Sequence, residues 1–302
     1  MAHWYDINGD THHQVLNRAQ TKLQGKIVFR DSTIADARKN GWLSGWTAIG
    51  SLCSDTEWIA RWRQAEFKRV MEAERPKGKI ELWEHYWDRI NKVLTVERDK
   101  HMKLGSQVHK QIEFELEHET HESNCARGEL KAPVRNFWRW YHANVKEVIA
   151  TEETFGSESW GYGGAVDLQY LDHDGNYCIV DFKTKRTREG EKIKQGLEQK
   201  RQLVAYALGL EKITVQSLEF DEDENGYPRR PITPQDVTDG WVDDESLECP
   251  ILGNLYLSTT EPDRWEYHGI DPDEIPELIL DVRDCVRLWQ RENKFGPYAV
   301  KK

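Results

Sequence analysis

The chain has 302 residues, 38% hydrophobic and 31% charged, with a formal net charge of −11, the profile of a globular protein of one large domain or two small ones. No apolar run of the ~18 residues that a membrane span needs occurs. The N-terminal MAHWYDINGDTHHQ lacks an apolar signal core, and the five cysteines are scattered, odd in number and without a CxxC pair, which argues against a zinc ribbon or iron–sulfur centre and for reduced thiols.

Residues 1–30 read as irregular. FRDSTIADARKNG predicts a short helix with Asp31 or Ser32 as N-cap and Gly41 as its stop. Residues 55–75 and 79–120 predict long helices with charged faces. Trp42, Trp46, Trp58, Trp62, Trp83 and Trp87 fall in this region and read as an aromatic core rather than a base-stacking surface. A further helix is predicted over 133–147. From 148 the period changes: VIATEETF, WGYGGAVDLQYL and NYCIVDFKT predict three successive strands, the last two joined by the hairpin signal DHDGN. A helix over about 191–210 follows, then a fourth strand in ITVQSLEF, an acidic loop or insertion over 221–250 and an outer hairpin in NLYLSTTEPDRWEYHGI. The last helix, ELILDVRDCVRLWQRE, carries Leu278, Val282, Val286 and Trp289 at helical spacing. This order predicts an α/β or α+β architecture, in which a helical N-terminal region (residues 1–147) packs on a core (residues 148–302) as one continuous domain.

The acidic total argues against a nucleic-acid binder, but the charge is unevenly placed. Residues 183–201 hold eight Lys/Arg against three acids, a window of +5, and residues 219–248 hold eleven acids against two arginines, a window of −9. The basic window directly follows IVDFK (Ile179–Lys183). Strand alternation places Asp181 and Lys183 on one face with Ile179, and Phe182 on the other. If the hairpin loop is His173–Gly175, Asp172 pairs with Asn176, and Asp167 falls opposite Asp181 at about 5 Å. A two-residue turn would instead place Asp167 opposite Phe182.

Two carboxylates so close repel unless a cation sits between them, and all-oxygen ligands suit Mg²⁺ or Mn²⁺. With a lysine beside them they suit phosphodiester hydrolysis. A plain salt bridge between Asp181 and Lys183 explains the same residues equally well. Gly163 and Gly164 precede Asp167 and permit close approach of another backbone or a ligand. Gln202 and Tyr206 lie four apart on one helix face, able to hold the lysine or touch nucleic acid. His109 and Glu113, also four apart, flank the stripe Val108, Ile112, Leu116. DEDENG (Asp221–Gly226) begins like a calcium loop, but its twelfth position is Ile232, so that reading is rejected.

Taken in order, His109, GGAVD (Gly163–Asp167), DFK (Asp181–Lys183) and QLVAY (Gln202–Tyr206) resemble the PD-(D/E)XK nuclease superfamily, nearest to its RecB-type branch with phage exonucleases and the mitochondrial genome-maintenance exonuclease. DSTIADARKNGWLSGWTAIGSL, TEWIARWR and LGSQVH are similar to the helical lead-in of phage and mitochondrial members, so the resemblance spans about 27–290. It implies an α/β fold with a restriction-endonuclease-like core, a central mixed sheet flanked by helices, and a helical N-terminal region. It implies one or two Mg²⁺ or Mn²⁺ ions held by Asp167, Asp181, the Phe182 carbonyl, His109 and Glu153, with Glu113 a weaker candidate. Lys183 would position the attacking water, and Gln202 and Tyr206 would organise the site. Lys185, Arg186, Arg188, Lys192, Lys194, Lys200 and Arg201 would meet DNA phosphates, and the acidic window would face away from DNA or repel it when misplaced. Val166 stands where the family name has proline, and the cysteines of the cluster-bearing relatives are missing. The implied activity is a DNA exonuclease acting on linear ends or single strands, with a recombinase or single-strand-binding protein as candidate partners. Its implied setting is the cytoplasm of a bacterial or phage-infected cell. An endonuclease on the same core and an inactive nucleic-acid-binding protein are the alternatives.

Overall fold

The computed structural model describes residues 3–53, 56–74, 83–118, 126–216, 229–240, 242 and 247–298. In chain order the elements are β1 (Trp4–Tyr5), β2 (Gln14–Leu16), α1 (Arg18–Gln24), β3 (Phe29–Asp31), α2 (Ile34–Asn40), β4 (Leu43–Gly45), α3 (Trp46–Gly50), α4 (Thr56–Ala73), α5 (Trp83–Glu117), α6 (Lys131–Asn144), β5 (Glu147–Ser157), β6 (Tyr162–Leu171), β7 (Tyr177–Lys185), α7 (Leu197–Gly209), β8 (Thr214–Gln216), β9 (Arg229–Pro231), α8 (Pro234–Thr238), β10 (Leu247–Glu248), β11 (Ile251–Ser258), β12 (Trp265–Gly269) and α9 (Ile275–Glu292).

A seven-stranded mixed sheet runs β1-β4-β6-β7-β11-β12, with β5 on β6 as well. Helices cover both faces. One apolar cluster joins α3, α7 and α9 to the sheet through Trp46, Leu203, Leu208, Ile279 and Val282. The other joins α5 and α6 to it through Val108, Ile112, Phe137 and Trp140. This is the expected α/β, restriction-endonuclease-like arrangement of a central mixed sheet flanked by helices.

Several elements differ from the sequence expectation. The described part of the stretch expected to be irregular, residues 3–30, carries strands: β1 joins the central sheet beside β4, and β2 pairs with β3. Strands of two or three residues carry too little alternation to be read. Helix α2 is capped by Thr33, with Asp36 completing a capping box, and stops at Gly41, whose φ is 70°. β8 leaves the central sheet for a small one with β9 and β10. β11 and β12 form the expected hairpin, but β11 is internal, running parallel to β7. Trp46 is buried, whereas Trp83 and Trp87 are exposed, so the tryptophans do not form one core; the side chains of Trp58 and Trp62 lie outside the described residues. DEDENG and most of the acids in the acidic window also lie outside them. Cys178 and Cys249 are free thiols, but Cys285 is disulfide-bonded, a departure from the reduced set expected. No helix among the described residues is long and apolar enough to cross a membrane.

The N-terminal strand docks through glycines. A Cβ on Gly156 would lie 1.8 Å from the Asp6 carbonyl oxygen, and one on Gly163 would lie 2.6 Å from Tyr5 Cβ. Gly156→Ala is therefore expected to destabilise the fold by about 1–3 kcal/mol or more, measured by denaturant unfolding. A midpoint equal to wild type would show that residues 3–10 are not held on the sheet this way.

Candidate active site

The site follows from how β6 is paired. β5 lies along one edge of β6 from Leu171 to Tyr162. The opposite edge is divided: β4 takes Tyr162 and Gly163, and β7 takes Leu168–Leu171. Among the described residues, no strand pairs with Gly164–Asp167 on that edge. β7 runs on past Val180, paired only with β11 through Lys185. The sheet thus opens between Asp167 and Asp181, and side chains from both helical layers reach the opening.

The β6–β7 register is the one expected from the odd loop. Leu168 pairs with Val180 and Leu171 with Tyr177, and Asp172 N–H donates to the Asn176 carbonyl across a turn with Gly175 at φ 89°. The ladder stops one pair short of Asp167 and Asp181. Asp167 Oδ2 accepts from the Phe182 N–H at 2.5 Å, and its Oδ1 lies 3.2 Å from His109 Nδ1. A side chain thereby replaces the next backbone rung.

His109 comes from α5, which approaches β7 closely because Gly105 leaves room beside Thr184. Glu152 on β5 joins it: one ligand atom each from His109, Glu152 and Asp167 lie within 4.8 Å of one another. Glu153, expected at the metal, turns instead to Gln169, whose Nε2 donates to its carboxylate. The reason is local. Pairing shifts between Val148 and Ala150, and Glu152 has φ 47°, the left-handed region that non-glycine residues seldom occupy. Alternation breaks there: Val166 and Leu168, two apart on β6, are buried in different clusters. The structure therefore brings Glu152, rather than the Glu153 that the resemblance implied, beside Asp167 and His109.

On the other side, Asp181 and Lys183 share a face and Phe182 is buried opposite, among α6 residues. Lys183 Nζ lies 2.6 Å from Asp181 Oδ2 and donates to Gln202 Oε1 at 3.0 Å. Gln202 Nε2 reaches the Tyr206 hydroxyl at 2.5 Å. The spacing of four on α7 puts both in one chain that ends on the lysine. Gly163 and Gly164 serve the protein's own packing: a Cβ on Gly164 would lie 2.9 Å from the Phe155 ring and 3.0 Å from the Tyr206 ring.

The electrostatics match a cation site. Burial opposes charge on His109, yet Asp167, with Asp181 and Glu152 beyond it, lifts the imidazole to about 9. Burial and then the Asp167 charge push Glu152 up to about 7, with Glu113 adding and His109 offsetting some of the rise. Burial also raises Asp181, and Lys183 offsets that rise incompletely. Burial works the same way on Asp167, but His109 and the Phe182 N–H outweigh it and hold that carboxyl below its usual range. Three carboxylates and an imidazole, kept close at a cost in burial and repulsion, are a donor set suited to a hard divalent ion. Asp181 stands outside the tight trio but acts on both His109 and Glu152.

The basic window divides. Arg186, Arg188, Lys192 and Lys194 are exposed, and Lys185 lies 3.8 Å from Glu191. Lys200 and Arg201 instead pair with Glu274 and Asp281, beside and on α9, holding α7 to that end of the fold. Their proximity in sequence to the exposed group hides this difference.

Among known proteins, the sequence matches the PD-(D/E)XK nuclease superfamily over residues 9–298. No curated protein matches it. A solved structure titled "Crystal structure of SSO0001" aligns at 12% identity over 73% of this chain and 84% of its own, with a TM-score of 0.23, too low to support an argument. The match over nearly the whole chain establishes the family: this protein belongs to the PD-(D/E)XK nuclease superfamily.

Proposed function

We propose that the protein is a Mg²⁺- or Mn²⁺-dependent DNA exonuclease of the RecB-type branch, removing nucleotides from DNA ends in phage or bacterial replication, recombination or repair. The observation that carries this reading is the meeting, at the open edge of β6, of the His109–Glu152–Asp167 trio with the Asp181–Lys183–Gln202–Tyr206 chain. The end-directed aspect rests on the resemblance of the helical lead-in and of the Gln202–Tyr206 pair to exonuclease members. Residues 1–147 and 148–302 would work as one nuclease domain, the first of these regions supplying His109.

Asp167, Glu152, Asp181 and deprotonated His109 would hold the metal, with the Phe182 carbonyl as a further ligand by resemblance. The ion supplies Lewis-acid polarisation of the scissile phosphate and charge neutralisation. Lys183, fixed between Asp181 and Gln202, orients the attacking water and offsets negative charge developing on the phosphate. Tyr206, kept protonated by burial and by the Asp181 charge, remains a hydroxyl that anchors Gln202. Lys185, Arg186, Arg188, Lys192 and Lys194 draw the phosphate backbone to this edge, so binding weakens steeply with salt. Lys200 and Arg201 we assign to the fold.

The test is digestion of end-labelled single- and double-stranded linear DNA beside a closed circle, with Mg²⁺, Mn²⁺ or EDTA. Loss of linear DNA only when metal is present, with the circle intact, is the expected result. Cutting of the circle would replace this reading with an endonuclease. Binding without cleavage under every condition would replace it with an inactive DNA-binding protein.

A further inference from the structure

β11 lies beside β7 in parallel register, with Asn254 next to Asp181, Tyr256 next to Lys183 and Ser258 next to Lys185. All three side chains hold the stretch that leaves β7 and opens α7, from Thr187 to Gln199. Ser258 Oγ lies 2.6 Å from Thr187 Oγ1, Tyr256 hydroxyl reaches Gln199 Oε1 at 2.5 Å, and Asn254 Oδ1 accepts from Gln195 Nε2 at 2.8 Å. Asn254 alone also touches the proposed metal site. Its Nδ2 donates to Asp181 Oδ2 at 3.1 Å, the same oxygen that Lys183 takes. Among the described residues no donor addresses Asp181 Oδ1, so that oxygen is left for a cation. Asn254 is fully buried, and burying an amide is tolerable only when both of its ends are satisfied.

The polarity of this chain is fixed. Gln195 Nε2 also donates to the His268 carbonyl at 3.3 Å, so it is the amide nitrogen that faces Asn254. Asn254 must then turn its oxygen to Gln195 and its nitrogen to Asp181.

We propose that Asn254 and Gln195 are positioning residues: an amide relay that sets the Asp181 carboxylate for metal binding and ties it to the basic segment that meets DNA. This rests on the metal-site reading above. Outer partners of a metal ligand are worth roughly 10–100-fold in metal affinity.

The test exploits the relay's polarity. Gln195→Glu, at pH 8, replaces the donor by an acceptor. Asn254 must then flip, and its oxygen would confront the Asp181 carboxylate. The substitution adds a negative charge near the site, so simple electrostatics would tighten Mn²⁺ binding. The relay demands the opposite, a weakening of about tenfold, read from the free-Mn²⁺ electron paramagnetic resonance signal of the full chain. Gln195→Met, which removes the donor without adding an acceptor, should weaken binding by less. Asn254→Leu should weaken it at least as much as Gln195→Glu, and because Asn254 is buried in the sheet its folding is checked by circular dichroism. Should Gln195→Glu bind Mn²⁺ as tightly as wild type or tighter, the relay is wrong even if wild type cleaves DNA. If wild type and Asp181→Ala bind Mn²⁺ equally, or wild type binds none, the metal-site reading falls and the relay with it.

Discussion

Lys183→Met is expected to lose about 10²–10⁴-fold in the rate of metal-dependent cleavage, measured by single-turnover digestion of labelled linear DNA. Methionine matches the lysine's four-atom stem but lacks the ammonium, so it carries no charge and no donor. In the wild type the ammonium is held from both sides, by Asp181 at 2.6 Å and Gln202 at 3.0 Å. Retention of more than a tenth of the wild-type rate would remove Lys183 from the chemistry. The same change leaves Asp181 buried without its cation. Its carboxyl, already raised by burial against the pull of Lys183, rises further. Below the ordinary carboxylate range Asp181 is protonated in the folded and unfolded chain alike. Above it the unfolded chain ionises first, so the loss of stability in the variant grows with pH. Thermal unfolding in EDTA at pH 4 and pH 8 tests the direction.

The second expectation separates two adjacent glutamates. Glu152→Gln should reduce metal-dependent cleavage by about a hundredfold or more, while Glu153→Gln stays within a few-fold of wild type. Glu152 belongs to the trio around His109, and Glu153 is bound to Gln169. The reverse order of effects would show that the left-handed backbone at Glu152 is not the arrangement the working enzyme uses. Stability should move the other way from activity. Burial and Asp167 push the Glu152 carboxyl up to about 7. Its ionisation in the metal-free fold is therefore a cost that develops between the ordinary carboxylate range and pH 7 and persists above it. Glutamine avoids that cost. In EDTA, Glu152→Gln should melt higher than wild type at pH 8 and at nearly the same temperature at pH 4. A variant that gains stability as it loses cleavage marks a residue kept for function against the interest of the fold.

Much of this site can be read in the sequence because it depends on short-range counting. Alternation separates Phe182 from Asp181 and Lys183, a helical spacing of four joins Gln202 to Tyr206, and the loop after Asp172 narrows the β6–β7 register to two, of which the structure has the odd-loop one. What escapes depends on irregularity or on distant pairing. The shift near Ile149 and the left-handed residue at 152 leave no mark in composition, so nothing in the sequence shows that Glu152, rather than the Glu153 implied by the resemblance, comes beside Asp167. A second glutamate directly beside the first, on a strand long enough to carry a bulge, is the signal that a sequence reading can weigh. Asn254 sits 73 residues from Asp181, and only the parallel pairing of β11 with β7 brings them together. Nothing in NLYLSTTEPDRWEYHGI distinguishes an internal parallel strand from an edge. The short β1 gains its place through close contacts of the chain around it with Gly45, Gly156 and Gly163, which periodicity does not record.

The opening at Asp167 and Asp181 has a mechanical side. β6 and β7 are joined by only four residue pairs, Leu168–Leu171 with Tyr177–Val180. On one side of this seam hang β5, β4 and β1, and on the other β11 and β12. An ion shared by Asp167 and Asp181 would add a crosslink at the open end of the seam, beside the Asp167–Phe182 N–H bond that already spans it. The protein would then be a different solid with and without its metal. At an ion concentration about a hundred times its dissociation constant the crosslink is worth about 2.7 kcal/mol of folding free energy. The cleft that admits a phosphate would also be the joint that the ion locks.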